Sequence, residues 1–178
     1  MEIRRLLRHL WLDTDDARHA LGNDGLARIE SCIRTSESTH LGEICVCVEA
    51  ALPRHQLWRH LRDRVPFEHL MRERAIELFG AQRVWDTEAN NGVLIYLLLA
   101  EHHVEILADR GVSRHVPETY WNALLGEISL PLRERRLTDG ILRAIAGVGT
   151  VLQQHFPCSG AMDRSSNVDE LPDKPSIL

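Results

Sequence analysis

Apolar positions along this chain change period several times, and each change marks an element. Leu26, Ile29, Cys32 and Ile33 recur at helical spacing with Arg28, Glu30 and Arg34 turned away, which predicts an amphipathic helix ending near Thr39. Ahead of it, Asp13-Thr14-Asp15-Asp16 can cap a helix running through Ala17 to Leu21, and Gly22-Asn23-Asp24-Gly25 interrupts the pattern. Glu43 to Leu52 then carries Ile44, Cys45, Val46, Cys47 and Val48 without a break. Such a run suits a central strand covered on both faces, closed by Pro53. Two helical segments follow, Arg54 to Arg64 and Glu68 to Phe79, with Val65-Pro66 as the break and Gly80 as the stop.

The strand period returns at Gly92 to Ala100 and at His103 to Ala108, around the polar Glu101-His102-His103, and the pair reads as a β-hairpin. A helix is predicted from Pro117 to about Gly126 and another from Thr138 to Phe156. The last helix has one apolar stripe: Ile141, Leu142, Ile145, Val148, Val151 and Leu152. Gly147 and Gly149 weaken it by roughly 1 kcal/mol each relative to Ala, which predicts close packing against the sheet there. From Cys158 onward the Ser, Gly, Asp and Pro content describes a flexible tail.

This order predicts an α/β protein, a three-layer α/β/α sandwich around a small mixed β-sheet. One strand pairs in parallel through a right-handed helical crossover and one is an antiparallel hairpin partner. Residues 1–12 form an N-terminal arm or helix, 13–157 the α/β/α domain and 158–178 the tail. The chain has 178 residues, 44% of them apolar and 26% charged, enough for one domain with a proper core.

The net charge of −5 argues against nucleic acid or an anionic membrane as the main partner, because both reward a clustered positive surface. Positive charge nevertheless gathers locally at Arg4, Arg5 and Arg8 and at Arg54, Arg59, Arg62 and Arg64, a pattern that suits solvated helix faces. No apolar run reaches the roughly 18 residues of a membrane helix. Met1 to Leu12 lacks the apolar core and cleavage site of a secretory signal, so a cytoplasmic protein with no transmembrane segment is expected. Cys32, Cys45, Cys47 and Cys158 contain no Cys-x-x-Cys pair. Cys45 and Cys47 should share a strand face, for packing or for a soft metal. His55 and His60 are five apart and His102 and His103 adjacent, neither of which sets two ligands on one face. No G-x-S-x-G elbow, Cys/His pattern or phosphate-gripping glycine loop occurs.

The candidate chemistry lies between Arg83 and Gly111. A hairpin places the entry of its first strand beside the exit of its second, so Asp86, Glu88, Asn90 and Asn91 should lie near Asp109. Parallel pairing brings His40 and Glu43 to the same end of the sheet. Carboxylate and amide oxygens gathered on loops suit a hard cation, Ca²⁺ or Mg²⁺, held by Asp86, Glu88, Asn90, Asn91 and Asp109, with Glu43 or Asp16 reaching in. Such an ion could polarise a phosphate ester while Arg110 neutralises developing charge. The same Asx residues also suit local turn capping. A different role is open to the arm, where Leu6, Leu7, Leu10, Trp11 and Leu12 could form a docking helix or pack on the core.

Gly42-Glu43-Ile44, Ala75-Ile76-Glu77-Leu78-Phe79, Asn90-Asn91-Gly92-Val93-Leu94-Ile95, and Val104-Glu105-Ile106 leading to Asp109-Arg110-Gly111 resemble the TPM domain. That family includes thylakoid lumen and photosystem II repair proteins and many bacterial proteins of unknown role. The resemblance spans about Asp13 to Pro157, and its most specific part is the Asn-Asn-Gly turn and strand. It implies an α/β/α sandwich, divalent-cation binding carried by that turn and the acidic residue before it, and weak acid phosphatase activity. The expectation is therefore a TPM-like domain with weak Ca²⁺ or Mg²⁺ binding and a protein partner, a membrane protein being one option. The alternative is a metal-dependent acid phosphatase-like phosphoesterase.

Overall fold

Asp13 starts the first long helix of the domain. Its carboxylate accepts from the Asp15 and Asp16 amides at 2.9 and 3.1 Å, while Asp16 returns a bond to the Asp13 amide at 2.9 Å, a complete capping box. In the computed structural model, which describes residues 2–158 and 170–178, the elements are α1 (Glu2–Trp11), α2 (Thr14–Glu37), β1 (Glu43–Glu49), α3 (Arg54–Asp63), α4 (Phe67–Ala81), β2 (Gly92–Leu98), β3 (His103–Ala108), α5 (Arg110–Ser113), α6 (Glu118–Arg133), α7 (Leu137–His155) and β4 (Ser176–Ile177). The expected interruption at Gly22 is a one-residue kink inside α2, where φ is 67°.

Strand order is β3-β2-β1-β4. β1 runs parallel to β2 from Glu43↔Gly92 to Glu49↔Leu98, and β2 runs antiparallel to β3 from Val93↔Ala108 to Leu98↔His103. Every residue of β1 and β2 is buried, as the unbroken apolar runs predict. Alternation sorts them into two cores. Ile44, Val46, Val48, Val93, Ile95 and Leu97 face α2, α6 and α7, whereas Cys45, Cys47, Leu94, Tyr96 and Leu98 face α3 and α4. The result is an α/β/α sandwich.

Three expectations are corrected. α4 does not stop at Gly80 but runs on to Ala81, because Arg83 takes the left-handed conformation (φ 56°) and closes the helix with bonds from Val84 N to Phe79 O and from Arg83 N to Gly80 O. α6 likewise passes Gly126 and Pro131 and ends on the same motif, built on Arg135 (φ 58°). The α7 glycines admit neighbouring helices, not the sheet. A Cβ on Gly147 would meet Leu124 Cδ1 at 2.5 Å, and one on Gly149 would meet Ser36 Oγ at 2.3 Å.

The final residues return to the sheet. β4 lies parallel to β1 at Cys47↔Ser176 and Val48↔Ile177, with Leu178 N bonded to Val48 O at 2.9 Å. Residues 159–169 of the expected tail lie outside the described residues. At the N-terminus, α1 is docked by Glu101, which accepts from Arg5 Nε at 2.7 Å and bonds His9 Nε2 at 2.9 Å.

Candidate functional site

The N-terminal ends of β1 and β2 form the edge where the sequence gathers its oxygen ligands. From α4 the chain turns through Val84, whose carbonyl oxygen would lie 2.1 Å from a Cβ on Gly92. Only glycine admits that approach. Thr87 is buried and its Oγ1 accepts from Asn91 N at 3.0 Å, while Asn90 sits at φ 53°. Asn91 is 1% exposed, and its amide donates to Leu41 O at 2.6 Å, tying the turn to the entry of β1.

The β3 exit meets this turn directly. Asp109 N donates to Gly92 O at 2.9 Å, and Gly111 N donates to Asn90 O at 2.9 Å. Arg110 Nε donates to Asn90 Oδ1 at 2.7 Å, so the guanidinium is anchored at the edge. Asp109 Oδ1 accepts from Arg110 N at 2.7 Å. Two buried oxygens here, Asn91 Oδ1 and Asp109 Oδ2, have no donor among the described residues. Unsatisfied buried acceptors are uncommon, and each costs on the order of 1–3 kcal/mol unless something fills it.

The remaining predicted ligands are placed differently. Asp86 is exposed and ion-paired with Arg83. The Glu88 side chain is exposed, and its amide is held by the Glu170 carboxylate at 3.1 and 3.2 Å. Glu43 is buried at the expected end of β1 and accepts from Leu171 N at 3.3 Å. Asp16 lies at the other end of the sheet, in the α2 capping box and in a cavity wall with Leu99 and His102, so it does not reach the turn. Among the described residues, no three His, Cys, Asp or Glu side chains are grouped to hold a metal ion.

Sequence reasoning missed an acidic neighbourhood beside Glu43. Glu37, at the end of α2, accepts from Ile44 N at 2.8 Å. Burial pushes its carboxyl up to about 9, and a hydrogen bond with Asp173 and the Glu43 charge push the same way. Asp173 also takes Arg34 Nε at 3.1 Å. His40 is fully buried with Ser36 Oγ 2.9 Å from its Nε2, and burial lowers the imidazole to about 4. Glu170, Leu171 and Asp173 all come from beyond Cys158. The one available signal was the apolar Leu171, Ile177 and Leu178 within a polar stretch.

The Cys45 and Cys47 thiols share one face as expected, with sulfurs 4.0 Å apart, and both are buried in the core facing α4.

A mixed-sheet α/β/α sandwich whose Asn-Asn-Gly turn is clasped by an Asp-Arg-Gly exit defines the class of protein. A family model described as the TPM domain matches residues 14–151, and the chain belongs to that family. Among solved structures it is similar to the NMR structure of BA42 protein from the psychrophilic bacterium Bizionia argentinensis sp. nov., with a TM-score of 0.69 and 24% identity over 87% of this chain and 93% of that one. At that identity the likeness supports the fold alone. No curated protein matches the chain. No helix among the described residues is long and apolar enough to cross a membrane.

Proposed function

We propose that this TPM domain binds Ca²⁺ or Mg²⁺ weakly at the edge shared by the Asn90-Asn91-Gly92 turn and Asp109, and that it acts as an interaction domain for a protein partner. The observation that carries the reading is two buried oxygens for which no donor stands among the described residues, Asn91 Oδ1 in the turn and Asp109 Oδ2 at the β3 exit, whose amide bonds Gly92 O. An amide and a carboxylate oxygen are the donors a hard cation takes. Two such ligands make an incomplete shell, with the rest left to water, and that accords with weak binding. Asp86 is engaged by Arg83 and exposed, so it contributes less than Asp109. Asn90 holds Arg110 and contributes through position.

Calorimetry and thermal melts in millimolar Ca²⁺ or Mg²⁺ test this on the wild type, Asp109→Asn and Asp86→Ala. Binding heat and a raised melting temperature that Asp109→Asn removes and Asp86→Ala keeps are expected. Silence in the wild type would overturn the cation site.

The anchored Arg110 guanidinium favours one second reading, a metal-dependent phosphoesterase. A bound cation would polarise a phosphate ester there, and Arg110 would meet the developing negative charge. Phosphate-ester turnover that requires the cation and falls in Arg110→Ala is its test; absence of turnover leaves a binding domain.

A further inference from the structure

The opposite end of the sheet carries a second surface. β1 and β2 finish at Glu49 and Leu98, and α1 lies across the segments that follow. Leu52 N donates to His9 Nδ1 at 3.1 Å, and Glu101 takes Arg5 and His9. One ring then joins α1 to α3. Phe67 has the Arg5 guanidinium 3.8 Å above it, His9 stacked at 5.5 Å and His60 of α3 at 4.2 Å.

With Arg5, Leu6 and His9 turned inward, α1 presents Leu7, Leu10 and Trp11, the last 81% exposed. α3 buries Gln56 and Leu57 and presents Trp58, 61% exposed, and Leu61. These five are the majority of the eight exposed large apolar side chains among the described residues, and they stand on the two helices that meet at the Phe67 ring. Isolated exposed leucines need no explanation, but a concentration of this kind does.

Charge gathers on the same helices. Across residues 2–12 and 53–66, seven arginines stand against Glu2 and Asp63, with Asp13, Asp15 and Asp16 following α1, in a chain whose net charge is −5. Arg5, Arg59 and Arg62 are in close ion pairs, and Arg8 is 3.9 Å from Glu101. Arg4, Arg54 and Arg64 are exposed and form no ion pair among the described residues.

We propose that α1 and α3 form a docking surface for an anionic lipid bilayer. Trp11, Leu10, Leu7, Trp58 and Leu61 enter the headgroup boundary, and Arg4, Arg54 and Arg64 meet the lipid phosphates. Tryptophan and arginine, each with an apolar body and a polar or charged tip, match that boundary. The local positive charge complements an anionic leaflet and sets this end apart from the acidic remainder of the chain. A nucleic acid would engage the arginines but leave the leucine and tryptophan side chains in water. Docking here leaves the Asn91 and Asp109 edge at the far end of the sheet.

Cosedimentation of the full chain with vesicles tests the surface, using phosphatidylcholine alone and phosphatidylcholine with about one third phosphatidylglycerol. A chelator in every sample keeps the result independent of the cation site. Partition into the anionic vesicles is expected, about tenfold weaker for Leu10→Ser with Trp11→Ser and again for Trp58→Ser with Leu61→Ser, and weakened by salt. All four side chains are exposed, so both variants should keep the wild-type melting temperature. No partition into anionic vesicles, or partition that neither double variant reduces, would overturn the proposal and give the face to a protein partner.

Discussion

Glu37 and Glu101 are both largely buried glutamates, at opposite ends of one sheet, and their carboxyls titrate in opposite directions. Burial pushes Glu37 up to about 9, with Asp173 and Glu43 beside it adding to the rise. Burial would raise Glu101 as well, but hydrogen bonds from His9 and Arg5 and the Arg5 charge overcome it and hold the carboxyl at about 2. Desolvation is common to both, so the neighbours decide the outcome. One end of the sheet gathers acids around itself and keeps a proton. The other is fastened by cations. The fastened end is therefore where α1 is held in place to present its outer face.

The largest expected effect breaks the geometry of the acidic end outright. In Gly92→Ala the new Cβ would lie 2.1 Å from the Val84 carbonyl, and because that atom belongs to the backbone it cannot swing aside. A loss of about 3 kcal/mol is expected, read from denaturant unfolding. Cation-dependent stabilisation should vanish with it.

Next in size is the fastening of the other end. Glu101→Ala leaves the buried His9 without its carboxylate, and a loss of about 2 kcal/mol at neutral pH is expected. The sign follows from the depressed carboxyl: its contribution is fully present above the ordinary carboxylate range and is lost as pH falls toward about 2. The wild type should shed this stability over that interval and the variant should not, which a series of acid melts would show.

Glu37→Gln should act in the opposite sense, by about 1 kcal/mol, because an amide replaces a carboxyl that resists ionising where it sits. A group whose folded value is raised binds more protons when folded, so its contribution declines as pH rises from the ordinary carboxylate range through about 9. Melting temperatures followed across that range should fall in the wild type and flatten in Glu37→Gln. A variant less stable than the wild type at the alkaline end would contradict the comparison. The smallest effect is expected at the exposed face of α1, where Leu10→Ser with Trp11→Ser should move stability by less than about 0.5 kcal/mol.

Much of the fold was legible because its signals are local. Unbroken apolar runs at Ile44–Val48 and Val93–Leu98 require burial on both faces, and that requires helices above and below. Asp13 announces the start of α2 by its own side-chain chemistry. The helix ends were misjudged where glycine was taken as the only stop, since Arg83 and Arg135 adopt the left-handed conformation instead. The hairpin placed Asn90, Asn91, Asp109 and Arg110 together, because a short connection leaves two strands little choice of partner.

Sequence by itself determined the layers, the β1–β2 parallel and β2–β3 antiparallel pairings and the turn that faces Asp109, since each follows from periodicity or from a contact between near neighbours. Only the tertiary structure decided which oxygens at that turn have no donor among the described residues, that Asp86 is taken by Arg83, and that Asp16 lies at the other end of the sheet. It alone brought Glu170, Leu171 and Asp173 from a polar segment to the entry of β1. Composition predicts how much surface a segment can bury, not whether a sheet edge will be there to receive it. That edge exists only once β1, β2 and their covering helices have packed.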